Sequence, residues 1–270
     1  MKKDYISTPD FNIDDDLDFV EQFWTQRWQE NAEIADCSYV ARREEYKLML
    51  PTLNELPKDC KILDAGCGKG EWTVWFNQQG YETVGLDISE DTIKKVQDIF
   101  PQYQFVRGDI RDTDFPGERF DIIFSWGAYE HFENGPGKCL KESWRILKPG
   151  GMLFISVPYD NIRHMLSRLR PLKTWDGSYH PDEGYEKPMR FYQWRFTKAE
   201  LEQEIALANF RVKWVKPIHK SEGVKRWLDW DLKISPTSSV YAFVNRIANR
   251  LMPADYLAHM VMIAARKAIE

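Results

Sequence analysis

A short apolar run that ends in an acid and then opens into glycines at every second position constrains this chain more than any other stretch. It reads Lys61-Ile62-Leu63-Asp64-Ala65-Gly66-Cys67-Gly68-Lys69-Gly70-Glu71. Ile62-Leu63 has the character of a buried parallel strand, and the segment from Glu71 through Gln79 is competent to form a helix. A glycine loop between strand and helix lets backbone approach a ligand where side chains would collide, at positions open to φ > 0. It also aims the first N–H groups of the helix at that ligand. The spacing narrows the choice of ligand. The dinucleotide fingerprint G-x-G-x-x-G requires a glycine at position 71, where Glu71 stands. With Asp64 closing the strand, the loop mouth suits a ligand carrying positive charge or several hydrogen-bond donors, and suits pyrophosphate poorly.

Strands and helices alternate downstream, the pattern of a parallel sheet covered on both faces. A helix over 71–79 closed by Gly80 leads to a second strand, Thr83-Val84-Gly85-Leu86-Asp87-Ile88. A carboxylate at its end accepts from two vicinal hydroxyls at once; the other use of Asp87, capping the next helix, is better served by Ser89. A helix over 90–99 precedes a third strand, Tyr103 to Arg107, which ends in Gly108-Asp109-Ile110. The fourth, Phe120-Asp121-Ile122-Ile123-Phe124-Ser125-Trp126, runs into Gly127-Ala128-Tyr129-Glu130-His131-Phe132. In open α/β sheets ligands lie beyond the carboxyl ends of strands, so this loop is where reactants should meet. A helix over 137–147 and the turn Leu147-Lys148-Pro149-Gly150-Gly151 lead into a fifth strand, Met152–Val157.

Asp64-Ala65-Gly66-Cys67-Gly68-Lys69-Gly70 resembles the first motif of class I S-adenosylmethionine-dependent methyltransferases, and further matches follow it in the family's order over roughly residues 55–157. The resemblance is to the small-molecule subset, the type 11-like methyltransferases. It implies a Rossmann-like α/β fold with a seven-stranded, mostly parallel sheet whose last strand is antiparallel, and S-adenosyl-L-methionine as cofactor. It assigns cofactor binding to Asp64, Ala65, Gly66, Cys67, Gly68 and Gly70 in the loop. Asp87 and Ile88 fall at the ribose, Asp109 and Ile110 at the adenine, and Ser125 and Trp126 at the end of strand four.

Outside that core the resemblance loosens. A single domain is expected, with an N-terminal helical cover (1–56), the cofactor core (57–157), a lid insertion (158–196) and C-terminal helices with strands six and seven (197–270). Residues 1–15 read as loose or capping. Leu17, Val20, Phe23, Trp24 and Trp28 then recur at helical spacing, and a second helix runs from about Tyr39 to Leu56 with Pro51 inside it. These helices either cover the cofactor cleft or pack on a sheet edge. In the insertion, Ile162, Met165, Leu166 and Leu169 mark an amphipathic helix, and Arg163, His164, Arg168 and Arg170 occupy its other face. The cations are either a solvated face or a recognition surface for an anionic acceptor. Long insertions of this kind are commonly lids. Thr197 with Glu200 forms a capping box, Phe210 to Val215 a sixth strand, and His259 to Ala264 the last. One or two amphipathic helices, marked by Val224-Trp227-Leu228 and Val240-Phe243-Val244-Ile247, lie between.

The formal net charge of −5 gives no electrostatic footprint for nucleic acid, and Asn/Asp-Pro-Pro-Tyr/Phe, the signature of amino-methylating nucleic-acid enzymes, is absent after strand four. Cys37, Cys60, Cys67 and Cys139 show neither C-x-x-C pairing nor metal spacing, so free thiols in a reducing compartment and no metal site are expected. No apolar run reaches the roughly 18 residues of a spanning helix, which gives the expectation of a cytoplasmic protein and leaves peripheral membrane association open. Eleven Trp within a 14% aromatic fraction indicate either a large aromatic core or an aromatic-lined acceptor pocket.

The expected activity is methyl transfer to a small-molecule or glycan-type acceptor, at oxygen if a histidine base serves it. N- or C-methylation of another metabolite and a non-catalytic cofactor-binding interaction protein are the alternatives. His131 and Glu130 are the catalytic candidates, with Tyr129, His164, His180 and Tyr192 as acceptor-pocket residues. His131 equally suits a structural role that holds the loop.

Overall fold

The computed structural model describes residues 1–7, 16–30, 37–167, 179–180, 184–185 and 189–269. The chain begins with strand β1 (Lys2–Ser7), helix α1 (Asp16–Glu30), a 3-10 turn over Cys37–Arg42 and helix α2 (Glu44–Glu55). The βα alternation follows as β2 (Lys61–Ala65), α3 (Glu71–Gln78), β3 (Glu82–Asp87), α4 (Glu90–Ile99), β4 (Gln104–Arg107) and β5 (Phe120–Trp126). Next come α5 (Gly137–Ile146), β6 (Leu147–Pro158) and the short α6 (Ile162–Ser167). Two-residue strands β7 (Tyr179–His180) and β8 (Gly184–Tyr185) pair with each other and precede β9 (Met189–Arg195). The chain closes with α7 (Lys198–Leu207), β10 (Phe210–Ile218), α8 (Lys220–Arg226), a π-helical turn Trp227–Asp231, α9 (Ser239–Leu251), α10 (Ala254–Leu257) and β11 (Met260–Lys267).

Seven strands form one sheet in the order β10-β11-β6-β5-β2-β3-β4. All are parallel except β11, which runs antiparallel to both β10 and β6. This is the sheet expected from the sequence, last strand included. Strand alternation sends Leu63, Leu86, Ile123 and Leu153 to one face, against Leu140 and Ile146 of α5 and Leu201 and Ile205 of α7. Ile62, Ile122, Phe124 and Phe154 fill the other face, against Met49 and Leu53 of α2 and Phe76 of α3. Local chemistry fixes the helix starts. The Ser89 hydroxyl accepts from the Thr92 amide at the head of α4, and Thr197 and Glu200 form the expected capping box of α7.

Two regions depart from the sequence reading. Lys2–Ser7, read as loose, pairs antiparallel with β9, nearly the whole chain away. No local pattern marks a strand whose partner is so remote. The second departure is α6, whose polarity is the reverse of the expected one. Ile162, Met165 and Leu166 are exposed, while Arg163 is buried. Its Nη1 donates to Asp231 at 2.5 Å and its Nη2 lies 2.6 Å from His164 Nε2. Burial, then the Arg195 and Arg163 guanidiniums, drive the His164 pKa down to about 2. The neutral ring takes contacts from both arginines. Arg163 and His164 therefore form a joint between α6 and the turn after α8. Arg168, Leu169 and Arg170 of the same expectation lie outside the described residues.

The α8–α10 unit has its own small core of Val224, Leu228, Ala248 and Leu257. Gly223 sets how closely it packs, because a Cβ there would sit 1.5 Å from the Leu257 carbonyl oxygen. Helix propensity favours alanine over glycine by about 1 kcal/mol, but a backbone clash of this depth outweighs it. We expect Gly223→Ala to lower unfolding free energy by at least ~1–3 kcal/mol in urea denaturation. An unchanged or higher midpoint would contradict that packing.

Candidate active site

The glycine loop is fastened to β3. Gly66 and Cys67 both donate their amides to the Leu86 carbonyl, at 2.8 and 2.9 Å, and Gly70 donates to Cys67 at 2.9 Å. The Gly68 amide donates to Asp87 Oδ2 at 2.8 Å, and the Ser89 amide to Asp87 Oδ1 at 3.0 Å. Below the loop, the hydroxyl and amide of Thr73 in the first turn of α3 both donate to Asp64. The loop amides were expected to face a ligand. Those of Gly66, Cys67, Gly68 and Gly70 are instead bonded within the protein, and what the glycines supply is clearance. Gly66 and Gly68 have φ of +89° and +49°, and a Cβ on either would come within 2.7 Å of Ala128 Cβ or the Trp28 ring.

Beyond the loop opens a cavity of about 220 Å³ at the carboxyl ends of the parallel strands. The loop contributes Asp64, Gly66, Cys67 and Gly68, and β3 contributes Leu86, Asp87 and Ile88. Asp109, Ile110, Trp126, Gly127, Ala128, His131 and Phe132 complete the side near β4 and β5. Val20, Trp24 and Trp28 of α1 close it from above. Of the two readings of the N-terminal helices, α1 thus takes the cleft-covering one and α2 the sheet-packing one. The Trp24 and Trp28 rings stack at 5.4 Å, and Trp24 meets His131 edge-on at 4.9 Å. A hydroxyl contact of 2.7 Å between Thr25 and Ser89 ties α1 to the head of α4.

The wall is apolar with an acidic edge. Burial raises the Asp64 pKa to about 7 against the lowering bonds from Thr73, and burial likewise raises that of Asp87. The Asp109 carboxylate is gripped by Arg111 through Nε and Nη2, at 2.9 and 2.8 Å to Oδ2, and that guanidinium lies 4.5 Å over the Phe132 ring. A helix N-terminus plugged by a carboxylate offers an anion little, so a phosphate-bearing cofactor fits this loop poorly. A cationic, hydroxyl-bearing ligand with a flat apolar part fits it well.

Not every expected site residue reaches the cavity. Ala65 is buried in β2, where its carbonyl accepts from Ser125 Oγ at 2.7 Å, so both residues hold the loop from behind. Gly70 caps α3 at φ +74°, with Phe105 where a Cβ would go. Tyr129 is buried with its hydroxyl 2.6 Å from Ser143, and burial raises its pKa. Glu130 is buried beneath the loop, its Oε2 without a hydrogen-bond partner, and burial lifts its pKa to about 8. His131 does reach the cavity. Its Nδ1 lies 2.7 Å from the Tyr192 carbonyl oxygen, and its Nε2 lies 3.9 Å from Glu130 Oε1. Burial lowers its pKa to about 4, against the carbonyls of Tyr192 and Gly127. The Tyr192 ring packs on His131 at 5.0 Å and on Phe23 at 5.5 Å, outside the cavity lining. His164 belongs to the α6 joint. His180 lies in β7, and its side chain is outside the described residues. Trp72, Phe132 and the α1 residues Val20, Trp24 and Trp28 line the cavity without having been singled out. The helical spacing of Trp24 and Trp28 was visible, but not the side of the sheet on which they land.

The parallel sheet, the strand-end glycine loop and the acid closing β3 together define a Rossmann-like fold of the class I methyltransferase kind. Residues 63–155 match the methyltransferase-domain family, and over this stretch the chain is similar to S-adenosylmethionine-dependent methyltransferases of class I. A malonyl-[acyl-carrier protein] O-methyltransferase of Pseudescherichia vulneris is 30% identical over 44% of this chain and 47% of its own length. A 2-methyl-6-phytyl-1,4-hydroquinone methyltransferase of Synechocystis sp. is 31% identical over 46% of this chain and 39% of its own. The chain thus spans less than half the length of these curated relatives. A SAM-dependent methyltransferase structure from Methanosarcina mazei superposes with a TM-score of 0.56 at 19% identity, covering 82% of this chain and 98% of that one, which shows the shared fold.

The Glu130 environment yields a prediction. The unfolded chain releases this proton near 4.5, whereas the folded site holds it to about pH 8. In that window the native state binds more protons than the unfolded one, so Glu130 costs increasing stability as pH rises from about 4.5 to about 8. We expect Glu130→Gln to lose less stability than the parent between pH 5 and pH 8 in paired urea titrations. Parallel losses would show that the carboxyl is ionised in the fold.

Proposed function

We propose that this chain transfers a methyl group from S-adenosylmethionine to an oxygen of a small-molecule or glycan-type acceptor. The observation that carries the reading is the convergence of Asp87, Asp109, the Gly66–Gly68 clearance and the apolar side chains Ile88, Ile110 and Phe132 on one cavity. When bound, the cofactor supplies a methyl group that is already electrophilic on its sulfonium. Asp87 uses one lone pair on each oxygen for Gly68 and Ser89, and carboxylate geometry leaves the others for a ribose diol. Asp109 already accepts from the amide, Nε and Nη2 of Arg111, and would offer its remaining acceptor site to an adenine amino group. Ile88, Ile110 and Phe132, which line the cavity, would hold the flat ring by apolar contact, and Asp64 would serve the cationic end.

His131 is the acceptor-side residue of this proposal. The carbonyl of Tyr192 claims the proton of Nδ1, so the uncharged ring has its remaining lone pair on Nε2. A pKa of about 4 makes it a weak proton store; it orients a hydroxyl by accepting its hydrogen bond, and α1 above the cavity excludes water. Oxygen as the receiving atom rests on this ring and on the likeness to an O-methyltransferase. An anionic acceptor is not part of the proposal, because Arg163 and His164 are engaged within the protein.

Calorimetry with S-adenosylhomocysteine tests the cofactor half. We expect saturable binding that weakens at least about 100-fold in Asp87→Ala, by loss of the charge-assisted diol bonds. Absence of binding, or binding of NAD in its place, would defeat the assignment. For the acceptor half, an acceptor panel should show His131→Ala lowering kcat by roughly 10²-fold or more on a hydroxyl substrate with cofactor affinity kept. Turnover of amines alone would move the receiving atom to nitrogen.

A further inference from the structure

Helix α9 carries a second surface that the cofactor cavity does not use. Its inward side, Tyr241, Val244, Ala248 and Met252, packs into the small core of the α8–α10 unit. On the outer side, Val240, Phe243, Ile247 and Leu251 are 56%, 65%, 39% and 72% exposed. Spaced at i, i+3, i+7 and i+11, they form one continuous apolar stripe along the outside of the helix. Trp230 and Leu232, in the turn before α9, are exposed too.

The charge beside the stripe is of one sign. The thirteen residues of α9 include Arg246 and Arg250 and no acid. Arg246 lies three positions after Phe243 and Arg250 three after Ile247, so the two arginines flank the stripe on its exposed side. Both are exposed, as is Lys233 just upstream, and none of the three has an acidic partner among the described residues. The nearby acids already have partners, although Asp229 and Asp231 remain exposed. Asp231 pairs with Arg163, Glu222 with Arg226, and Asp229 accepts from the Tyr241 hydroxyl. A second copy of the chain would fit such a face badly, since twofold packing of α9 on itself brings like guanidiniums together with no carboxylate between them.

We propose that the outer face of α9 docks on an anionic phospholipid surface. Phe243, Ile247 and Leu251 enter the boundary between headgroups and acyl chains, and Arg246, Arg250 and Lys233 meet lipid phosphates. Trp230 is the residue type that favours that boundary. No described helix is long and apolar enough to cross a bilayer, so the contact lies in the interface plane. The register places this face relative to the cavity: Ile218 pairs with Met260, which pairs with Pro158 at the carboxyl end of β6. The unit that carries α9 therefore leaves the sheet at the end where the cavity opens. The proposal does not depend on the methyl-transfer reading.

Co-sedimentation of the full chain with phosphatidylcholine vesicles, with and without phosphatidylglycerol, tests it. We expect binding only to the phosphatidylglycerol vesicles, weakening as salt is raised. Arg246→Gln with Arg250→Gln should lower the partition constant by roughly 20–30-fold. Phe243→Ser with Ile247→Ser should abolish it while leaving S-adenosylhomocysteine affinity and the thermal midpoint unchanged, since both side chains are outside the folded core. Failure of the parent chain to sediment with anionic vesicles would overturn the proposal. So would a concentration-dependent dimer in analytical ultracentrifugation that Phe243→Ser dissolves, which would give the stripe to a second copy.

Discussion

The bond between the Gly68 amide and Asp87, together with the two amides that share the Leu86 carbonyl, holds the site in its working shape. β2 and β3 are neighbours in register, Ala65 opposite Leu86, so the loop leaving one strand meets the end of the other. Asp87 then serves two purposes at once. It closes the loop with one oxygen and the head of α4 with the other, and it lines the cavity. A carboxylate is suited to this because it accepts on both oxygens and donates on neither. Burial raises its pKa, and the amide bonds from Ser89, Gly68 and Ile88 oppose that rise.

That arrangement shifts the chemical role of the glycines. In phosphate-binding loops, free amides and the helix N-terminus form the recognition surface. Here the amides are bonded to the protein, the N-terminus of α3 is occupied by Asp64, and the glycines provide room. The cavity that results is acidic at its edge and apolar on its walls. Trp24, Trp28 and Phe132 shield it from water, which strengthens whatever charge contacts a ligand makes inside.

The same economy of charge holds elsewhere. Arg163, His164 and Arg195 cluster without a free cation facing the cavity, because Asp231 and the ring nitrogens of His164 take up the guanidiniums. Arg111 is folded onto Asp109, and Arg145 onto Glu142 and the carbonyls of Thr113 and Phe115. Against this background of paired side chains, the arginines and lysine beside the apolar stripe of α9 stand out.

By itself the sequence determined the order of βα units and the strand-end residues that line the cavity, while the antiparallel last strand was implied by the family resemblance. Those features rest on short-range regularities: apolar strands ending in Asp64, Asp87 and Asp109, glycines where a Cβ would collide, and caps at Ser89 and Thr197. The tertiary structure alone decided what depends on distant partners. β1 is a strand only because β9 lies beside it, and Arg163 is buried only because Asp231 arrives from the turn after α8. Tyr129 and Glu130 sit two residues and one residue before His131 in the chain, yet only the histidine reaches the cavity, since the loop turns its neighbours inward. Amphipathic spacing named the apolar residues of α6 and α9 but not which of them find a neighbour, because periodicity records the faces of a helix and not what packs against each.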